Sequence, residues 1–182
     1  MVEVTQICYA SRDIEATAKT LVEVERAGPF FFGEFPLRNL QYRGAAVEYG
    51  KLKVGFGYRG RMQIELIQAP AGVPSCYAEV LDGGKREAFH HVYIKSDEDY
   101  DAIVDRHARA GEPMVYHGLA GDDGIRFGFI DARKRLGHFV EVLETNRMVG
   151  SAAAIFDLYA KMEDAAAHWD GMRPLRSLSE LF

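Results

Sequence analysis

Apolar and polar residues alternate over residues 6–11, Gln-Ile-Cys-Tyr-Ala-Ser, and again over residues 91–96, His-Val-Tyr-Ile-Lys-Ser. A period of two belongs to a strand with one buried face. The two segments are 85 residues apart, and Ser11 falls on Ser96 at the same offset. Acidic residues follow each serine, Asp13 in one case and Asp97-Glu98-Asp99 in the other. Such residues suit a helix cap and first turn, where they meet unpaired N–H groups and the positive end of the helix dipole. The pattern then changes to a helical period. Ile14, Ala18, Leu21 and Val22 make one apolar stripe, and Tyr100, Ile103, Val104 and Ala108 make another. Both stripes stop at similar punctuation, Ala27-Gly28-Pro29 and Ala110-Gly111-Glu112-Pro113. Gly28 and Gly111 are therefore expected to supply left-handed caps, and the prolines to prevent continuation.

Each half next becomes strand-like. The first contains Val47–Phe56 and Met62–Gln68, joined by a turn at residues 57–60, with a further strand near Leu40–Tyr42. The second contains Met114–His117, Arg126–Ile130 and Phe139–Leu143, with turns at residues 121–124 and 133–135. The unit is strand, helix, then about three strands, used twice. This predicts an α+β protein of two βαβββ modules, at residues 1–69 and 88–146, forming an open, cupped, barrel-like mixed sheet with helices outside. Residues 70–87 read as the linker. Residues 147–182 read as a tail whose helix, Ser151–His168, carries Ile155, Leu158, Tyr159 and Met162 on one face, to pack on the body or on a partner chain.

The chain has 182 residues, enough for a sizeable core. Its net charge of −5 argues against a partner held by a basic surface, so no nucleic acid is expected. No run of about 20 apolar residues exists, so no membrane span is expected, and Met1-Val2-Glu3-Val4 does not begin a secretory signal. Two cysteines, Cys8 and Cys76, are too few for a disulfide framework, which suits a reduced, cytoplasmic setting.

Strand parity selects the candidate chemistry. Ile64 and Leu66 flank Glu65, and Val140 and Val142 flank Glu141. With the aliphatics packed on the helices, each glutamate points to the other face of its sheet. The same parity sends Gln6 and His91 away from the helices. Two carboxylates, an imidazole and an amide oxygen would converge if the sheets face one another. That hard, mostly oxygen set suits one divalent ion with waters completing its shell. By the same alternation His90 points to the opposite face from His91, and His138 has the wrong parity to join Glu141. Lys95, Arg126 and Arg43 are candidates for an anionic substrate, while Phe30, Tyr42 and Tyr77 are candidates for an apolar pocket wall.

The segments Gln6–Thr17, Gly28–Phe31, Met62–Ile67, Phe89–Val92 and Gly137–Glu144 resemble the vicinal oxygen chelate superfamily over roughly residues 3–146. That superfamily includes glyoxalase I, methylmalonyl-CoA epimerase, extradiol dioxygenases and bleomycin-resistance proteins. The resemblance implies a metal site between two curved sheets, with Gln6, Glu65, His91 and Glu141 as ligands. The set is similar to that of glyoxalase I. The epimerase branch commonly has His and Gln at the first two positions, and this chain departs from it at both. The implied cofactor is one divalent ion (Zn, Ni, Co, Mn, Fe or Mg), and the implied partner is a small-molecule carbonyl substrate. The implied reaction removes a proton beside the carbonyl, as in an isomerase, an epimerase or a glyoxalase-type lyase. Glu141 is then the expected base, and Glu48 the second proton-transfer group. The alternatives are a non-enzymatic binder of the same fold and an Fe(II) ring-cleaving dioxygenase. The apolar face of the tail helix also points to a homodimer.

Overall fold

The computed structural model describes residues 2–48, 50–68, 70–121, 124–145 and 151–182. The chain runs β1 (Val2–Ser11), α1 (Ile14–Glu25), β2 (Phe30–Tyr42), β3 (Ala45–Ala46), β4 (Lys51–Arg59), β5 (Met62–Gln68) and α2 (Cys76–Val80). It continues through β6 (Glu87–Ser96), α3 (Tyr100–Arg109), β7 (Met114–Ala120), β8 (Ile125–Ile130), α4 (Arg133–Leu136) and β9 (Phe139–Leu143). It ends with α5 (Ser151–Ala167), β10 (Leu175–Ser177) and a 3-10 turn at Leu178–Leu181.

The sequence explains the helix starts. The Asp13 side chain accepts from the Ala16 N–H of α1 at 3.0 Å, and Asp99 accepts from Asp101 and Ala102 at the start of α3. The ends differ. Past α3, Gly111 takes the expected left-handed conformation (φ 78°). The left-handed residue closing α1 is Arg26 (φ 56°), not Gly28. Gly28 instead lies under the Trp169 ring, which a Cβ there would meet at 3.1 Å.

The strands form one mixed sheet in the order β2-β4-β5-β1-β6-β9-β8-β7. Its centre joins β1 and β6 antiparallel, and each of these has a parallel neighbour, β5 beside β1 and β9 beside β6. The expected cupped, barrel-like α+β fold is present. Its edges also meet, because β2 and β7 pair from Leu37–Ala120 to Tyr42–Tyr116. β2 is long enough to serve four neighbours, β10, β3, β4 and β7, with β10 parallel to its start.

Alternation along these strands separates the core into three parts. Cys8, Phe31, Phe56, Ile67, Phe127 and Phe129 fill the barrel interior. Ile14 and Ala18 of α1 pack on Phe30, Ile64 and Leu66 outside it. Tyr100 and Ile103 of α3 pack on Ile130, Val140 and Val142. Each fully buried aliphatic, such as Ile14 or Leu66, contributes about 1.5–3 kcal/mol. Phe139–Leu143 forms a strand with the expected bounds, but β4 starts and ends later than the pattern suggested. Gly57 lies inside β4 rather than in a turn, because the Phe30 ring crosses it and leaves no room for a side chain: a Cβ there would sit 2.7 Å from that ring.

The tail helix α5 lies on the body. Its Leu158 and Met162 are buried with the interior cluster, and the Tyr159 carbonyl accepts from the Tyr58 hydroxyl at 3.1 Å. The apolar face that suggested a homodimer is thus covered by the chain's own barrel. Among the described residues no helix is long and apolar enough to cross a membrane.

Candidate metal centre

Four neighbouring strands, β5, β1, β6 and β9, carry Glu65, Gln6, His91 and Glu141 on their inner faces. Nε2 of His91 lies 3.3 Å from an oxygen of Glu65 and 3.3 Å from an oxygen of Glu141. His91 is completely buried. Its Nε2 and that Glu65 oxygen have no well-aligned hydrogen bond. Burial of unpartnered polar atoms is costly, so these two, with a Glu141 oxygen aimed at the same point, call for a bridging species. Two ligand atoms at right angles on an ion with bonds of about 2.1 Å stand about 3.0 Å apart, close to what these side chains show. The residues fit a divalent ion. Gln6 lines the same cavity, and its amide nitrogen donates to Gln63 at 2.8 Å, while Gln63 donates to the Tyr58 hydroxyl.

Burial alone would push the imidazole of His91 to lower pKa. The facing carboxylates, Glu141 foremost, override this and raise it to about 9. Burial likewise holds Glu141 above the usual carboxylate range, with the charge of Glu65 adding to the effect and His91 opposing it. On the other side of the ring, Nδ1 of His91 is 2.7 Å from Nδ1 of His90. One of the two nitrogens must carry the proton. With Nε2 of His91 holding an ion, His91 is the donor and His90 the acceptor. Cys8 lies near this pair and completes a second possible ligand group, but its two histidines already satisfy one another there.

His90 is where the alternation misled. Cys8 pairs with His91 and Tyr9 with Phe89, so two residues of β6 stand opposite one step of β1. This bulge turns His90 inward beside His91, with its ring 4.8 Å from that of Tyr77 and 4.9 Å from that of Phe139. Burial and the neighbouring imidazole lower its pKa.

Above the acidic pair is a cavity of about 90 Å³. Phe35, Phe56, Phe127 and Phe129 form much of its wall, and Phe156 and Tyr159 of α5 close one side. A larger and more polar hollow of about 420 Å³, which includes Lys95, Arg61 and Gln63, lies on the other side of those two residues.

Residues 5–129 match the profile of the Glyoxalase/Bleomycin resistance protein/Dioxygenase superfamily. The chain belongs to that superfamily. Among curated proteins none matches this sequence. Among solved structures, a hypothetical protein from Bacillus halodurans C-125 is similar at 18% identity, over 82% of this chain and 98% of that one, with a TM-score of 0.52. Methylmalonyl-CoA epimerase from Mycobacterium tuberculosis is similar at 17% identity, over 83% and 91%, with a TM-score of 0.50. A methylmalonyl-CoA epimerase in complex with methylmalonyl-CoA and NH4+ is similar at 16% identity, over 79% and 94%, with a TM-score of 0.51. At these identities the likeness establishes the fold.

Within this superfamily fold, Gln6, Glu65, His91 and Glu141 come together, and Tyr77 lines the cavity beside them. The other expected substrate residues stand elsewhere. Phe30 faces α1, because it falls on the outer register of β2 and Phe31 on the inner one. Arg126 alternates with the inward Phe127 and Phe129, so its guanidinium lies outside, 4.3 Å over the Tyr100 ring and paired with Asp101 and Glu144. Tyr42 packs on Tyr116 beneath Arg43, outside the cavity. Arg43 itself is committed to Glu79 and Asp131. Lys95 is exposed in the larger hollow, 5.8 Å from the Phe156 ring. Glu48 is exposed ahead of β4 and does not line the cavity, since the strand expected to begin near it starts only at Lys51. His138 bonds the Phe139 carbonyl and packs on Phe89, away from Glu141.

Proposed function

We propose that the chain is a divalent-metal-dependent enzyme that moves a proton on the carbon beside a carbonyl, as an isomerase, an epimerase or a glyoxalase-type lyase. The observation that carries this reading is the convergence of Glu65, His91 and Glu141 on one buried point beneath an apolar cavity. An ion held there by these residues and Gln6 supplies a Lewis acid, which polarises the carbonyl and favours negative charge on its oxygen.

The protein's own groups do the rest. Glu141 takes the proton, and burial raises its basicity toward what that task requires. Glu65 stays in place as a fixed negative charge. His91 is oriented by His90 through the Nδ1 contact. The aromatic wall and α5 exclude water, which strengthens every charge interaction in the site. Glu48 is too exposed for the role of second proton-transfer group in this arrangement.

The test is metal uptake. Purified protein incubated in turn with Mn, Co, Ni, Zn and Fe(II), then desalted, is expected to retain one ion per chain, and His91→Ala is expected to retain none. Loaded protein should then catalyse exchange of a substrate's C–H proton with deuterated water. Protein that stays metal-free with every ion overturns the enzyme reading and favours a binder of small apolar molecules.

A further inference from the structure

We propose that the group this site accepts beside the reacting carbonyl is small, neutral and apolar, and that substrates bearing a second carboxylate there are refused. The inference rests on the metal-dependent reading above and narrows its substrate class. Two features carry it, the charge of the wall and its size.

Among the described residues lining the cavity there is no lysine or arginine, whereas Glu65, Glu141 and Glu144 all contribute. The nearby cations are turned elsewhere. Arg126 lies outside the wall, held by Asp101 at 2.5 Å and by Glu144 at 3.4 Å, so it is already neutralised there, and Lys95 belongs to the separate hollow. Away from the acidic floor, the wall is built from Phe35, Phe56, Phe127, Phe129 and Phe156. An anionic substituent would lose its hydration among rings, and among the described residues no lysine or arginine of the wall would compensate it. The volume, about 90 Å³, is smaller than the roughly 150 Å³ of an apolar cavity that takes up benzene, so only a few carbons fit while α5 is in place. Methylmalonyl-CoA, bound in one of the structural neighbours, carries a carboxylate on the carbon next to its thioester. By this argument it is the wrong kind of substrate here.

Two hydroxamates test this. Butyrohydroxamate and the monohydroxamate of succinic acid chelate through the same two oxygens, and their chains differ only by a terminal methyl against a carboxylate. Manganese is first titrated into the protein by calorimetry, and each hydroxamate is then titrated into the loaded protein. The expected result is that the neutral compound binds at least about a hundredfold more tightly. Affinities within threefold, or tighter binding of the acid, overturn the proposal. If manganese itself fails to bind, the metal reading falls, and the proposal is decided on metal-free protein by saturation-transfer NMR. Transfer to the neutral chain and none to the acid then upholds it. Equal transfer, or none to either, overturns it.

Discussion

A proton and a metal ion compete for one atom, Nε2 of His91, and the structure sets the scale of that competition. Glu65 and Glu141 face this nitrogen, and His90 faces Nδ1. In the metal-free protein the carboxylates hold the proton until pH about 9, against 6.5 for an ordinary imidazole. An ion must displace that proton, so apparent affinity should rise about tenfold per pH unit up to pH 9, giving a hundredfold between pH 7 and pH 9. Stability of the metal-free protein runs the other way. A raised folded pKa gives a contribution that is complete below pH 6.5 and disappears as pH rises through 9, here about 3 kcal/mol. Calorimetric titration of Mn(II) in buffers of different ionisation enthalpy should therefore count about one proton released per ion at pH 7. Thermal melts should show the gap between loaded and metal-free protein widening with pH. Glu141→Gln should bring the proton off at lower pH and weaken binding at pH 9. Affinity that is flat from pH 6.5 to 9, with no proton released, would refute the assignment of His91 as a ligand.

In loaded protein, Glu141→Gln should lower proton exchange by about a hundredfold or more, while Glu65→Gln should mainly weaken metal retention; equal turnover in parent and Glu141→Gln removes Glu141 as the base. Gly57→Ala should cost about 1–3 kcal/mol, because the new methyl would sit 2.7 Å from the buried Phe30 ring, and denaturant unfolding with an unchanged midpoint would contradict this. Glu112 is held by Arg135 at 2.6 Å and by His107 at 2.7 Å, which depresses its pKa to about 2. Its contribution is present above pH 4.5 and lost as pH falls toward 2, so Glu112→Gln should be less stable than the parent by about 1 kcal/mol at pH 6 and equal to it at pH 2 in urea melts.

The parts of the site that were legible in the sequence depend on local alternation within a repeated unit. Glu65 between Ile64 and Leu66, and Glu141 between Val140 and Val142, could only face away from the helices. Arg126 obeys the same rule beside Phe127 and Phe129, and its parity alone places it outside. The run Phe30-Phe31-Phe32 has no alternation, so pairing with β4 had to decide which ring faced α1. Pairing also decided the orientation of His90, since a bulge leaves no mark in composition or period. The contribution of Phe156 and Tyr159 to the cavity wall was hidden for a different reason. A helical stripe shows that a face is apolar, but not that part of it borders a void.

The bulge at His90 does not stand alone. On the facing strand, Val4 pairs with Ile94 and Gln6 with Tyr93, so Thr5 is likewise an extra residue. One insertion in each strand cancels the other, and the ladder that opens at Val2–Ser96 still closes at Ser11–Glu87. Without the extra residue in β6, alternation would run uninterrupted from Ala88 to Tyr93 with a single imidazole inside. The inserted residue thus acts as an accessory that can be added to the interior without re-aiming its neighbours. Its matching insertion keeps the ends of two modules, far apart in the chain, in step. Deleting His90 alone and deleting Thr5 alone would each slip one end of the central seam by a residue. Deleting both would restore an unbroken ladder that has lost its second histidine.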